Sequence, residues 1–291
     1  MNLTQLKYFN AICSYNSISA AAQALYVSQP TISNAIKELE EEFGVSLFKR
    51  HYRGMALTKE GETLLKMSRD LIYRAEQIEK VMGDFGKNRK TLRLGVPPMI
   101  GSMFLPFIQG EFRKEHREID LEISEGGKSE LLEKLENGYL DMIFISHNSE
   151  LKDTLAIQHI MSVETVFCVS EKNPLAKLKE VTPNDLVNTP LVLFKNSFFQ
   201  TELIKKAFTD ESITPQILLQ TEQLSNVLNL IRENTASGFL FRPLTKSHPE
   251  IVAIPMKKRL FADISLVWKK DSYFSLGMKY FSEYMKKREL R

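Results

Sequence analysis

The amino-acid sequence predicts an α/β protein with more than one folded unit. Its 291 residues exceed the size of a typical single core. Residues 3–87 carry almost only helical patterns, whereas from Thr91 onward short β-rich runs alternate with amphipathic helical stretches. Such alternation is typical of βαβ units around a parallel sheet. Between the two parts, the segment GDFGKNRK (Gly83 to Lys90) has the glycines of a helix end and hinge.

Composition narrows the class of protein without deciding its function. The formal net charge of +3 permits nucleic-acid binding but is too small to argue for it. Cys13 and Cys168 are far apart and lack metal-ligand neighbours, so we expect two buried, reduced thiols. The N-terminal segment MNLTQLKYF lacks a signal pattern, and the sequence has no apolar run long enough for a membrane span. We therefore expect a cytoplasmic protein without membrane contact.

The N-terminal part predicts three helices in a helix-turn-helix arrangement. The first, from about Thr4 to Tyr15, places apolar residues at helical spacing. The second contains AAAQAL, whose small side chains suit a close crossing of two helices. Ser28 is placed to cap the third helix, and Pro30 is tolerated in a first helical turn.

The third helix has two contrasting faces. Its apolar face is predicted to lie in the core and comprises Ile32, Ile36, Leu39 and Phe43. Its polar face and N-terminal flank present groups of the kind that a recognition helix offers to DNA. These residues are Gln29, Pro30, Thr31, Ser33, Asn34 and Lys37. Gln29 and Asn34 are suited to reading adenine, and Lys37 to contacting phosphate. The alternative is a solvated face on an ordinary three-helix bundle.

A predicted β-wing after this helix favours the DNA-binding interpretation. LFKR and MALT are short strand-like runs on either side of Tyr52 and Gly54. Lys49, Arg50 and Arg53 bring positive charge to this wing. Arginine at such a position commonly contacts phosphate or a narrow minor groove.

The segment from Glu60 to Met82 predicts a long dimerisation helix. Its residues at alternating steps of four and three follow the spacing of a coiled-coil seam. The candidate seam comprises Leu64, Ser68, Leu71, Ala75, Ile78 and Met82. Leu65 and Ile72, on a neighbouring row, are placed to cover the DNA-binding core. Because Ser68 and Ala75 weaken the seam, a helix that packs only within its own subunit is the alternative.

The predicted strands of the C-terminal part place a ligand site at their carboxyl ends, where ligands of open parallel sheets bind. These strands are TLRLGV, IDLEIS, LDMIFI, LVLF, ILLQ, GFLF and ISLVW. The candidate effector-binding residues in the following loops are Pro98, Ser102, Ser129, Ser146, Lys195, Phe198 and Arg242. His147 is also placed near the cleft, although a surface or capping role is the more ordinary interpretation.

The effector is expected to be a small organic anion. Arg242 follows the apolar run GFLF, and a cation beside a dry strand usually has an anionic partner. The anion would lie between Ser102 and Ser129 on one side and Arg242 or Lys195 on the other. The alternatives are a structural ion pair of Arg242 with an acidic residue such as Glu125, or an exposed Arg242.

The sequence does not predict an enzyme, a cofactor or a metal site. GGKS (Gly126 to Ser129) superficially resembles a phosphate-binding loop, but the first glycine of that motif would fall at Glu122, inside a strand. No nucleophile elbow or paired-histidine spacing is present, and the five histidines are scattered. An enzyme with a related α/β domain and a purely architectural DNA binder are the competing classes.

The segment ISAAAQALYVSQPTISNAIKELEEEFGVSLFKRHYRGMALTKEG resembles the N-terminal signature of LysR-type transcriptional regulators. The resemblance implies a winged helix-turn-helix, a long linker helix that pairs subunits, and a two-lobed domain like that of periplasmic binding proteins. It implies DNA contacts from Ser28, Gln29, Pro30 and Arg50, and effector contacts from Ser102 and Ser129. We then expect a homodimer or homotetramer that binds double-stranded promoter DNA in response to an effector.

The expected domain boundaries follow from the same organisation. Residues 1–59 would form the DNA-binding domain and residues 60–90 the linker helix and hinge. Residues 91–291 would form the effector-binding domain, with lobe I at about 91–161 plus 268–291 and lobe II at about 162–267.

Overall fold

The computed structural model divides into two compact units, Met1–Met82 and Gly83–Arg291. It describes residues 1–51, 54–86, 90–148 and 151–289. None of the helices in this described part is long and apolar enough to cross a membrane.

The first unit consists of three short helices, a two-stranded wing and most of a long helix. The helices are α1 (Leu3–Tyr15), α2 (Ile18–Ala24), α3 (Gln29–Phe43) and α4 (Lys59–Phe85). The wing pairs β1 (Phe48–His51) with β2 (Gly54–Leu57) in antiparallel register. Asn2 and Ser17 cap α1 and α2 by accepting hydrogen bonds from amides of the first turn.

The core of this unit is formed by the apolar faces of α1, α2 and α3. Phe9, Ile12, Ile32 and Leu39 are completely buried in it, as the helical periodicity predicted. Phe43 departs from the prediction, since 40% of its surface is exposed. It occupies the last position of α3, before Gly44 ends the helix in the left-handed conformation, and therefore lies beyond the packed turns.

A tight junction joins the wing to α4. The Thr58 hydroxyl donates to the Ser46 carbonyl at 2.7 Å and accepts from the Gly61 amide at 2.9 Å. A Cβ on Gly61 would lie 2.2 Å from the Leu47 carbonyl oxygen. The glycine is therefore required by close packing of the helix against the chain before the wing.

The second unit is built on a nine-stranded sheet within the described residues. The strand order is β4-β3-β5-β11-β6-β9-β7-β8, with β10 pairing with β6. The strands are β3 (Lys90–Val96), β4 (Ile119–Glu125), β5 (Met142–His147), β6 (Leu155–Ser170), β7 (Leu191–Phe194), β8 (Ile217–Thr221), β9 (Ser237–Phe241), β10 (Ile251–Ile254) and β11 (Leu260–Lys269).

Helices cover both ends of this sheet. They are α5 (Pro98–Phe107), α6 (Arg113–Glu115), α7 (Lys128–Glu136), α8 (Phe199–Thr209), α9 (Leu224–Arg232), α10 (Arg242–Thr245) and α11 (Leu276–Glu289). A π-helical turn, Ile108–Phe112, joins α5 to α6, and 3-10 turns lie at Pro174–Lys177 and Pro183–Leu186. We call the end with β3, β4 and β5 lobe I, and the end with β7 to β10 lobe II.

The two longest strands connect the lobes and are antiparallel, which the alternating pattern did not predict. β11 pairs with β5 and, over ten residues, with β6, while β6 also pairs with β9 and β10. The parallel pairs, β3 with β4 and β5, and β7 with β8 and β9, were predicted correctly in kind. Most of β6 escaped prediction because polar residues such as Gln158 and Glu164 interrupt its apolar run.

Candidate DNA-contacting surface and effector pocket

The N-terminus of α3 is organised by Ser28. Its hydroxyl accepts a hydrogen bond from the Thr31 amide at 3.3 Å and lies 2.7 Å from the Thr31 hydroxyl. Pro30 lies in the first turn, where a missing amide donor costs no intrahelical hydrogen bond. The polar end of this helix is therefore ordered by its own sequence.

The predicted recognition residues share one exposed surface. Every one of them is solvent-exposed: Ser28, Gln29, Pro30, Thr31, Ser33, Asn34 and Lys37. Lys37 forms an ion pair with Glu41 at 3.4 Å, but both side chains are largely exposed, so the pair is weak and readily exchanged for a phosphate. We call this surface, residues 28–37, the recognition face.

Tyr26 is a feature of this surface that sequence reasoning missed. It is 96% exposed and adopts a left-handed conformation, with φ of 54°. The Tyr26 amide donates to the Gln23 carbonyl at 3.3 Å and the Val27 amide to the Ala22 carbonyl at 3.0 Å. These bonds end α2 in a Schellman motif, in which glycine usually occupies the left-handed position. The short distance from α2 to the Ser28 cap was the signal for so tight a turn.

The wing can be described only in part. Lys49 on β1 is exposed, as a phosphate-contacting residue requires. Arg53 lies outside the described residues, and so does the side chain of Arg50. Their predicted DNA contacts therefore stay predictions.

The predicted seam of α4 divides into an inner and an outer part. Ser68 is buried and accepts a hydrogen bond from the Asn10 side-chain amide at 2.8 Å, while Leu64 packs against the core of its own unit. Leu65, on the neighbouring row, packs there too, as expected. Further along the helix the large apolar side chains face outward. The exposed fractions are 67% for Met67, 48% for Leu71, 64% for Ile78 and 59% for Met82.

In the second unit, a small pocket lies between the lobes. It is lined by Pro97, Pro98, Met99, Ile100, Lys128, Ser146, Phe194, Phe198, Phe199, Gln200 and Phe241. Pro98, Ser146 and Phe198 were predicted, and the structure brings these three together. The cavity volume is about 20 Å³.

Most of the polar groups around this pocket are committed to the protein. The Gln200 side-chain amide is buried and donates to the Phe239 carbonyl at 3.0 Å. Lys128 differs, because its ammonium lies over the Phe199 ring, 5.3 Å from the centroid, in a cation–π contact. Sequence reasoning missed Lys128, since a lysine in a first helical turn is ordinarily solvated.

Ser102 lies apart from that pocket. It is exposed at a second, open cleft of about 620 Å³ whose lining includes Glu125, Glu222 and Ser225. Two carboxylates from opposite lobes make this cleft unfavourable for an anion. Ser129 is exposed, and its amide makes a 3.5 Å hydrogen bond to the Ser197 carbonyl. The structure therefore does not bring Ser102 and Ser129 together around one ligand.

The two cations proposed for the anion already have carboxylate partners. Arg242 Nε donates to Glu164 at 2.6 Å, and Arg259 Nη1 donates to the other oxygen of Glu164 at 2.6 Å. Lys195 forms an ion pair with Glu222 at 2.9 Å. The structural alternative for Arg242 is thus the one observed, with Glu164 as its partner instead of Glu125.

Glu164 is held in its ionised form by this arrangement. Partial burial would raise its pKa, but hydrogen bonds from Arg242 and Arg259 and their positive charges outweigh burial. The net effect lowers the pKa below its ordinary value of 4.5. Close by in sequence, His147 Nε2 lies 2.9 Å from the Ser265 hydroxyl, which agrees with a structural role for that histidine.

The two cysteines are inert thiols. Burial raises the pKa of Cys13 to about 11 and that of the fully buried Cys168 to about 12. In the described part of the chain, no group of histidine, cysteine and carboxylate side chains has a geometry that could hold a metal ion.

Comparison with known proteins agrees with these two units. The profile described as "Bacterial regulatory helix-turn-helix protein, lysR family" matches residues 3–62. The profile described as "LysR substrate binding domain" matches residues 85–289. The chain belongs to the LysR family.

Individual relatives show the same organisation over the whole chain. An uncharacterized HTH-type transcriptional regulator of Bacillus subtilis (strain 168), YwbI, is 29% identical over 98% of this chain and 96% of its own. Full-length CbnR, solved in complex with its target DNA, matches 99% of this chain and 100% of its own, with 22% identity and a TM-score of 0.68. The effector-binding domain of QuiR, solved in complex with shikimate, covers 70% of this chain and 98% of its own, with 19% identity and a TM-score of 0.61.

Family membership settles the class of function. The chain is a LysR-type DNA-binding transcriptional regulator with a C-terminal effector-binding domain, and not an enzyme. LysR-type regulators are oligomeric and bind promoter DNA and small molecules.

Proposed function

We propose that this regulator changes its promoter binding in response to a small organic anion held in the pocket between lobes I and II. One observation carries the proposal: Lys128 places a positive charge at a pocket that is otherwise largely aromatic and aliphatic. In the described part of the chain, the ion pairs of Arg242 and Lys195 use carboxylates, whereas the observed partner of Lys128 is the Phe199 ring. A ligand carboxylate is a stronger partner for an ammonium than an aromatic ring.

The character of the pocket also supports a carboxylate with an apolar skeleton. Phe194, Phe198, Phe199 and Phe241 supply apolar surface, and the Ser146 hydroxyl is available on the lobe I side. Apolar walls with a few polar groups are usual for small-molecule sites. Shikimate, bound in the QuiR domain, is itself a carboxylate, so an anionic effector is compatible with this type of domain.

On the DNA side, we propose that the recognition face enters the major groove. Gln29 and Asn34 read base edges, while Lys37, Arg50 and Arg53 contact the backbone. Pairing of two chains through the outer stripe of α4, formed by Leu71, Ala75, Ile78 and Met82, would relate two recognition helices by a two-fold axis. The expected site is an interrupted palindrome in promoter DNA, bound by a cytoplasmic homodimer or homotetramer.

The test is a thermal-shift screen of the purified full-length protein with small carboxylates, neutral analogues and amines. We expect a carboxylate to raise the melting temperature by mass action and to change the footprint on promoter DNA. Lys128→Met should weaken its binding by roughly 10- to 100-fold, because a charge-assisted hydrogen bond is worth about 1.5–3 kcal/mol.

Lys195→Met is the matched control, since it removes an exposed lysine whose partner is Glu222. It should leave carboxylate affinity unchanged. The anion proposal fails if only neutral or cationic compounds stabilise the protein, or if Lys128→Met binds the carboxylate as tightly as the wild type.

A further inference from the structure

The lobes touch at a glycine whose missing side chain makes the contact possible. Gly127 lies in the loop between β4 and α7, and Ser197 in the loop between β7 and α8. A Cβ on Gly127 would lie 2.7 Å from the Ser197 Oγ, 2.9 Å from its Cβ and 2.9 Å from its carbonyl oxygen. The backbone angles of Gly127, φ of −77° and ψ of 162°, suit any residue. Glycine is therefore needed here for space and not for its conformational freedom.

The neighbouring residues extend this contact in register. The Ser129 amide donates a long hydrogen bond, 3.5 Å, to the Ser197 carbonyl. The Lys128 ammonium lies over the Phe199 ring. Residues 127–129 of lobe I thus lie against residues 197–199 of lobe II, and we call this arrangement the interlobe contact. No ion pair joins the two segments among the described residues.

The interlobe contact bounds the pocket proposed for the effector. Lys128, Phe198 and Phe199 belong to both. The pocket volume of about 20 Å³ is little more than one water molecule requires. An organic carboxylate has several heavier atoms, so it does not fit while residues 127–129 and 197–199 stay in contact.

We infer that Gly127 and Ser197 form a releasable closure of the effector pocket, and that the effector binds by parting it. The bound ligand holds the lobes further apart than they lie in this structure, and its carboxylate takes the place of the Phe199 ring beside Lys128. This inference rests on the proposed function for the location of the ligand, but the closure itself can be tested without one.

The ligand-free test uses Gly127→Ala. Its new Cβ meets the Ser197 backbone below 3.0 Å, so the lobes must separate for the variant to fold. Hydrogen–deuterium exchange should show several-fold faster uptake in residues 194–200, and dye binding to the exposed phenylalanines should rise. Gly110→Ala is the matched control, because its Cβ would have no atom within 4 Å. Exchange in residues 194–200 that is equal in Gly127→Ala, Gly110→Ala and the wild type would overturn the closure.

A disulfide provides a second test that does not depend on the stability of Gly127→Ala. In the double variant Gly127→Cys, Ser197→Cys, a separation of under about 1 Å brings the two Cβ atoms to the usual disulfide spacing of about 3.8 Å. The native thiols do not compete, because burial raises the pKa of Cys13 to about 11 and that of Cys168 to about 12.

The ligand in this test is the carboxylate that gives the largest thermal shift in the wild type. We expect the oxidised double variant to lose this shift and to regain it after reduction. A shift that persists in the oxidised form would overturn the inference while leaving the proposed function intact. If no carboxylate shifts either the wild type or the reduced variant, the proposed function fails, and the exchange experiment alone decides the closure.

Discussion

The recognition face and the cleft of the second unit treat their polar side chains in opposite ways. On the recognition face, Gln29, Ser33 and Asn34 are exposed to solvent, and the one ion pair, Lys37 with Glu41, is weak. In the cleft, Arg242 and Lys195 are already bound to Glu164 and Glu222. Exposed groups on a rigid helix are available to a partner, whereas charges paired across strands hold the domain together. Substitutions in the first region should therefore change binding, and those in the second should change stability.

The outer stripe of α4 should give the largest effect, because it is apolar surface that only a second chain can cover. Leu71→Asp places a charge in the proposed dimer seam, where loss of a large apolar side chain costs about 2–5 kcal/mol. We expect monomers by light scattering and a large loss of operator affinity. Lys66→Asp, at an exposed polar position of the same helix, should remain dimeric. A dimeric Leu71→Asp would show that subunits pair elsewhere.

Substitutions on the recognition face should alter sequence preference without altering stability. Gln29→Ala and Asn34→Ala each remove a bidentate contact worth about 1–3 kcal/mol of discrimination between bases. Arg50→Ala should instead weaken all DNA sites together. Mobility shifts on matched and mutated operators measure both effects, and chemical denaturation should show changes within about 0.5 kcal/mol. Uniform loss of affinity from all three variants would contradict this division of roles.

Glu164→Gln tests the opposite region. Losing the carboxylate leaves Arg242 and Arg259 without their partner, and because both arginines are partly exposed we expect a cost of about 1 kcal/mol in the free energy of unfolding at pH 7. The folded-state pKa of Glu164 is lowered, so this stabilisation is present above its ordinary value of 4.5 and disappears as the pH falls through the folded value.

The measurement is urea denaturation of wild type and Glu164→Gln between pH 7 and pH 3. The two curves should converge at the acid end, and operator affinity at pH 7 should be the same for both proteins. A constant difference at every pH would show that the charge of Glu164 is not what stabilises the domain.

Tyr26→Gly should give the smallest effect and sharpen the boundary between the two kinds of residue. A left-handed conformation is unfavourable for tyrosine, so glycine should raise the free energy of unfolding by about 0.5–1 kcal/mol. Operator affinity should fall, because an exposed aromatic ring beside the recognition helix is lost. Tyr26→Phe keeps the ring and isolates the hydroxyl. A more stable Tyr26→Gly with unchanged operator affinity would show that the ring does not contact DNA.

How much could be predicted from sequence differs between these regions for a physical reason. The recognition face depends on one helix, whose period of 3.6 residues sorts Ile32 and Asn34 onto opposite sides before any tertiary contact is known. Ser28 was likewise found from its cap position alone. Tyr26 was missed because a left-handed residue other than glycine leaves no distinct compositional mark.

The cleft required long-range information that the sequence pattern does not hold. Arg242 finds its partner 78 residues away on β6, most of which was not predicted as a strand. Lys128 stands in a segment that attracted attention only for its superficial likeness to a phosphate loop, and its place over Phe199 depends on the approach of lobe II. Ser102 and Ser129 follow adjacent strands, yet Ser102 lines the open cleft while Ser129 lies against Ser197.

The long antiparallel strands β6 and β11 give the second unit a mechanical property. Both pass from one lobe to the other, and their register shifts between Ile264 and Ser265, close to where β11 leaves lobe II for its pairing with β5. A bulge bends and twists a strand locally while the pairing on either side persists. Opening of the cleft can therefore be elastic, with strain concentrated at this bulge and no backbone hydrogen bonds broken. Such a sheet stores work when a ligand separates the lobes and returns it when the ligand leaves, so the resting state restores itself without any other source of energy.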